Sequence, residues 1–166
     1  SWVLEKKFDW QGIAIEPNPY FFPKLEKNRN CVKLQLVVDQ ESGTAPFRID
    51  NLGLGGIVAD DTDNNEQLRG DELRLDEQQA PTRIDYLSLD VEGAEERVIR
   101  GLDLNKYTFD CMTIERPSKY VNECLFEHGY RFVKNYNFDT FYIHESHPRV
   151  DQIACEPFEQ VSPKEF

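Results

Sequence analysis

The residues best suited to chemistry are Asp90 and Glu92. They are two carboxylates spaced i, i+2 at the end of the apolar run Ile84–Leu89, directly before Gly93-Ala94-Glu95. Such a run reads as a buried strand, and a helical pattern starts at once behind it. In an open α/β sheet, ligands bind outside the carboxyl ends of the parallel strands. Asp90 is therefore expected where a ligand is held. A similar junction occurs earlier, at Gly12-Ile13-Ala14-Ile15-Glu16-Pro17-Asn18-Pro19. Acids closing both strands suit a nucleotide-like ligand gripped by its hydroxyls. A third acid, Glu115, follows the strand-like Cys111–Ile114 and stands next to Arg116 and Pro117.

These acids need a framework. Trp2–Phe8 reads as the end of a helix and Gly12–Ile15 as a short buried strand. Asn18-Pro19 is a helix start, a cap followed by proline, with Pro23 awkwardly near the first turn of a helix that runs to about Asn28. Val32, Leu34, Leu36 and Val38 alternate, which predicts a strand over Cys31–Asp39. A turn at Glu41–Thr44 leads to an antiparallel strand at Pro46–Ile49. Residues 51–80 are the least regular, with a Gly53–Gly56 run, an acidic Asp60–Asn65 stretch and a short strand at Leu73–Leu75. The Ile84–Leu89 strand comes next, then a helix over Ala94–Arg100 closed by Gly101. Ser118 caps a helix reaching about His128, stopped by Gly129. Tyr130–Tyr136 and Thr140–His144 flank a short loop and form an antiparallel hairpin. The tail from Pro148 is expected to wrap the surface. Alternating strands and helices make an α/β fold with a mostly parallel sheet, which the closing hairpin renders mixed.

At 166 residues the chain is read as one domain, 1–166, large enough for a core. Its net charge of −12 repels phosphate backbones and anionic lipid, so nucleic acid is not expected as a partner. No apolar run approaches the ~18 residues of a membrane span, no signal peptide is visible, and a cytoplasmic location is expected. Cys31, Cys111, Cys124 and Cys155 show no zinc-like spacing, and Cys111 and Cys124 read as buried free thiols. No metal site is expected. Trp2 and Trp10 read as packing residues, and Glu95 and Glu96 as a solvated helix face. The acidic Asp60, Asp61 and Asp63 read as a solvated loop.

Taken together, Trp10–Pro19 with its IEPNP block, the Leu25…Asn28-Arg29 stretch, the Asp85–Glu95 segment with its LSLDVEGAE block, Gly101-Leu102 and Phe138–Tyr142 resemble the FkbM-type methyltransferase family over residues 1–145. The resemblance implies a Rossmann-like class I methyltransferase sheet whose last strand is antiparallel. It implies S-adenosylmethionine as cofactor and methyl transfer to a hydroxyl of a small metabolite or sugar. It also implies a first strand and a glycine-rich loop ahead of Ser1, so the chain is expected to be an N-terminally truncated copy that binds cofactor poorly or not at all if nothing fills that place.

On this reading Glu16 accepts the ribose hydroxyls, with Pro17 and Asn18 shaping its turn, and Val38 and Asp39 approach the adenine. Asp90, Glu92 and Glu115 form the catalytic region. A hydroxyl that attacks a methyl group must lose its proton, which a nearby carboxylate can take. Close acids can also share a divalent cation through their oxygens. His144 and His128 read as structural. The partner is a small-molecule acceptor, and the oligomeric state is left open. Two alternatives remain at this point. One is a non-catalytic nucleoside-binding or interaction module on the same fold. The other is a nicotinamide-dependent oxidoreductase, against which stand the closing hairpin and the lack of GxGxxG.

Overall fold

The computed structural model describes residues 2–40, 43–48, 65–71 and 75–162. It divides into two compact units, Ser1–Glu72 and Leu73–Phe166. The first contains helix α1 (Trp2–Phe8), strand β1 (Ile13–Ile15), helix α2 (Phe22–Asn28) and strands β2 (Val32–Leu34), β3 (Val37–Val38), β4 (Gly43–Arg48) and β5 (Asn65–Asp71). β1 runs parallel to β2, with Ile13 opposite Val32 and Ile15 opposite Leu34. β3 runs parallel to β5, and β4 pairs antiparallel with β5. The expected single strand over Cys31–Asp39 is therefore two strands with different partners. Its alternation was a real β signal, but Gln35-Leu36 breaks the ladder.

Two further expectations are corrected in this unit. Asn18 does not open a helix. Its carbonyl accepts from both Phe21 N and Phe22 N and its Oδ1 from Tyr20 N, which makes a tight turn, and α2 starts only at Phe22 with Pro23 in its first positions. Trp2 and Trp10 do not pack in a core, being 51% and 39% exposed. α1 has no buried residue. It is tied down by Glu5, which accepts from Arg29 Nε at 2.6 Å and from Asn30 N at 2.8 Å.

The second unit contains strand β6 (Arg83–Leu89), helix α3 (Glu95–Gly101), strand β7 (Thr108–Glu115), helix α4 (Lys119–Glu127), strands β8 (Tyr130–Tyr136) and β9 (Asp139–His144), and a short 3-10 turn at Val150–Gln152. Its sheet has the order β6-β7-β9-β8, with β6 and β7 parallel and β9 antiparallel to both neighbours. The closing hairpin is thus as expected. Among the described residues the strands form three sheets, one parallel pair and two of mixed direction, rather than one mostly parallel sheet.

β7 is central, and both of its faces are covered. Phe109, Met112, Thr113 and Ile114 are all buried, as a central strand of an α/β sheet requires. Val98 and Ile99 of α3 and Val121 and Leu125 of α4 are also buried. Ser118 caps α4 by accepting from Val121 N, and Gly129 ends it at φ +80°, a conformation that favours glycine. The hairpin is fixed by buried polar bonds. Tyr142 donates to Asn122 Oδ1 at 2.6 Å, and Phe109 N donates to the Tyr130 hydroxyl at 2.9 Å. All four cysteines are free thiols, with Cys111 and Cys124 half-buried rather than buried. Leu75 lies in a turn, not a strand. Gly53–Gly56, Leu73 and the Asp60-Asp61 and Asp63 acids lie outside the described residues. No helix among the described residues is long and apolar enough to cross a membrane.

Candidate active site

The parallel register of β6 and β7 sets Leu89 opposite Ile114. One residue further, Asp90 and Glu115 emerge side by side at the carboxyl edge of the sheet. Glu92 joins them from the turn that leads into α3. One oxygen of each of Asp90, Glu92 and Glu115 lies within 4.8 Å of the other two. The three acids picked out from spacing in the second unit therefore converge.

The turn that places Glu92 is unusual. Glu92 sits at φ +55° and Gly93 at φ +100°. The first value is uncommon for a residue with a side chain and costs of order 1–3 kcal/mol when enforced. What enforces it is Glu95. This residue is buried, and its Oε1 accepts from Val91 N at 3.1 Å and from Gly93 N at 3.2 Å. Glu95 is thus no solvated face residue. It anchors the turn that carries Glu92. Its signal in the sequence was an acid at the first helical position behind a Gly turn, where free amides seek an acceptor. Glu96, at the next position, accepts from Ser118 Oγ and from Arg100, and these donors hold its carboxyl below the usual range.

Sequence reasoning missed Asp139, and it read Arg116 only as a neighbour that could pair with Glu115. Asp139 opens β9 directly opposite Glu115. Burial first, and the charge of Asp90 second, push its carboxyl above the usual range. Asp139 thus adds an acid to the same edge. Arg116, at φ +41°, brings the cation. Its Nε lies 3.9 Å from Glu115 Oε1, and its guanidinium stacks 3.5 Å from the centre of the Phe138 ring.

Carboxylates this close repel one another by roughly 1 kcal/mol per pair in water and about 3 kcal/mol at a protein-surface dielectric. Protons, cations and hydroxyl donors relieve that repulsion. Three carboxylate oxygens at this spacing could ligate a divalent cation.

In the first unit, Glu16 follows β1. Its N–H donates to Leu34 O, and its Oε1 accepts from Asn18 N at 2.9 Å. Burial pushes its carboxyl up, against the pull of that amide. Asn18 is buried and Pro17 half-buried between them. Val38 lies in β3, in a different sheet from the strand that carries Glu16. Asp39 is buried, and its Oδ1 accepts from Gln40 N at 2.7 Å. Both ring nitrogens of His144 are engaged, with Ser146 Oγ and His128 O, and His128 Nδ1 lies 2.7 Å from Cys124 O.

A family model described as the methyltransferase FkbM domain matches residues 2–140. Among curated proteins and among solved structures nothing matches the chain significantly. The family match spans most of the sequence, from the first helix through the start of the last strand, and includes every acid described above. The chain accordingly belongs to the methyltransferase FkbM domain family.

Proposed function

We propose that this protein is an S-adenosylmethionine-dependent methyltransferase that acts on a hydroxyl of a small metabolite or sugar. The observation that carries the proposal is the convergence of Asp90, Glu92 and Glu115 within 4.8 Å at the carboxyl edge of β6 and β7. The antiparallel last strand of the second unit is in line with the sheet the family implies. The family match runs from residue 2 to residue 140 across both units, in line with reading the two as parts of one domain.

The cofactor supplies a methyl group activated on a sulfonium. The chain's own residues have the other roles. Glu16, a half-buried carboxylate at a strand end, is suited to accept two ribose hydroxyls. Pro17 and Asn18 fix the turn that presents it, and Val38 and Asp39 are assigned to the adenine. Asp90, Glu92 and Glu115 orient the acceptor, and one of them takes the hydroxyl proton as the oxygen attacks. Most of the rate comes from holding the two reactants in line.

Titration calorimetry with S-adenosylhomocysteine tests the proposal. Saturable binding is expected. Glu16→Ala removes charged hydrogen bonds worth about 1.5–3 kcal/mol, so affinity should fall roughly 10- to 100-fold. Binding that ignores Glu16→Ala overturns the cofactor assignment.

A further inference from the structure

The segment 153–162 lies beyond the matched residues 2–140, yet it reaches the carboxylate edge. It is extended, and successive bonds hold it to the second unit. Glu156 N donates to Val133 O at 2.8 Å. Val133 sits where the β8–β9 register shifts, so its carbonyl is available to the segment. Phe158 packs edge-on against both Phe126 and Phe132. Asn135 Nδ2 donates to Glu159 O at 2.8 Å. Gln160 Nε2 donates to Pro117 O at 2.6 Å, and its Oε1 accepts from Asn122 Nδ2 at 2.9 Å. Val161 is buried. The final contact is made to a residue of the site itself, where Arg116 Nη1 donates to Ser162 O at 2.9 Å.

Arg116 is therefore gripped on three sides, by the Phe138 ring, by the Ser162 carbonyl and by the Glu115 carboxylate. An arginine fork is well suited to such fixed, planar recognition. Asn122 connects the same grip to the core, since it also accepts from the buried Tyr142 hydroxyl. We propose that segment 153–162 is a positioning strap for the carboxylate site: by seating Ser162 O on Arg116 it sets that guanidinium against Glu115, and so fixes the orientation of one wall of the acid cluster. Arg116 acts here as a positioning residue. The inference rests on reading the cluster as the acceptor site, but its test needs neither cofactor nor acceptor.

The test is NMR on the full chain. The Arg116 side-chain Nε–Hε signal is assigned by its loss in Arg116→Lys. In the unaltered protein, NOEs are expected from this side chain to the Phe138 ring and to Ser162. Their absence overturns the proposal without any variant. Gln160→Glu keeps the shape of the side chain but turns a donor on Pro117 O into a repelling oxygen, and Phe158→Ala removes the aromatic anchor. In the single Gln160→Glu variant and in the double variant, the Arg116 Nε–Hε signal should be lost to solvent exchange. The Glu115 carboxyl carbon should shift, while the β6, β7 and β9 amides keep their positions. A merely structural brace would lower the melting temperature and leave the Glu115 carboxyl carbon where it was. That result overturns the proposal. S-adenosylhomocysteine binding that ignores Glu16→Ala would remove the cofactor assignment and leave these signals unaffected, so the two failures are distinguishable.

Discussion

After β1 the chain turns on its own strand-end acid. Glu16 bends back on Asn18 N two residues later, and so engages an oxygen of the same carboxylate that is proposed for the ribose. After β6 the turn is held from the other side. Glu95, five residues beyond Asp90 and already in α3, accepts from Val91 N and Gly93 N. Supporting the loop and meeting the proposed ligand fall to one residue in the first junction. In the second they are divided between Glu95 and the acids at the edge. The division lets the second junction hold Glu92 at a positive φ and gather several carboxylates. The first has a single half-buried carboxylate with raised proton affinity.

Removing the divided support should have the largest effect. Glu95→Ala leaves two loop amides without their acceptor and empties a buried position. Hydrogen bonds to a charged group contribute about 1.5–3 kcal/mol each, and they are not additive when they share one carboxylate. A loss of about 2–3 kcal/mol is therefore expected in urea unfolding. Glu95→Gln keeps one acceptor oxygen and should lose less than half of that. If Glu95→Ala unfolds at the same urea concentration as the unaltered chain, the turn is not held from α3 and the contrast between the junctions fails.

The same contrast marks what could be read from the residues alone. The strand at Ile84–Leu89, the helix between Ser118 and Gly129 and the closing hairpin were legible because each carries its own signal, whether an apolar run, a cap and a stop, or a short polar loop. The convergence of Asp90 and Glu115 followed from strand ends, since a parallel pair brings equivalent ends together. Asp139 was hidden because its place depends on the register between β9 and β7, which depends in turn on how the hairpin pairs. Arg116 was visible as a neighbour of Glu115, but its anchor on Ser162 lies 46 residues away along the chain and leaves no local pattern. The alternation over Val32–Val38 misled because periodicity reports a β conformation and not a partner. β3 finds its partner in the polar Asn65–Asp71, a stretch with no strand periodicity. Glu95 was misread because an exposed helix face is the usual place for an acid, and the free amides ahead of a helix are not written in its own periodicity.

A smaller effect separates Glu5 from the junction acids. Donation from Arg29 first, and from Asn30 N second, lowers the Glu5 carboxyl from an ordinary 4.5 to about 2. A group whose proton affinity is lowered by folding stabilises the folded state above its unfolded pKa. That contribution disappears as pH falls through the folded value. The first unit should therefore lose stability between about pH 4.5 and 2, and α1 should detach first because it has no buried residue. Glu5→Gln removes the charge and should flatten this acid limb, seen as a pH-independent signal from Trp2 in α1 and Trp10 just beyond it. An unchanged acid limb in Glu5→Gln would mean that α1 is retained by some other contact.

The smallest expected effect is also opposite in sign, and it tests the first junction most directly. Glu16 is pushed up by burial, so the folded state binds its proton more tightly than the unfolded chain does. Stability from this group is fully present below the unfolded pKa and is lost as pH rises through the folded one. Glu16→Gln keeps a carbonyl oxygen for Asn18 N and has no charge to desolvate. It should match the unaltered chain in acid, and become slightly the more stable of the two toward neutral pH. Glu5→Gln moves the other way over its own range, so the two variants should diverge as pH rises from the acid side. The unaltered chain then keeps a half-buried charge after β1 at a cost in stability, as expected of a carboxylate retained for a ligand. Parallel pH profiles for the two variants would show that Glu16 is held as an ordinary turn acid. The first junction would then have no claim to the ribose.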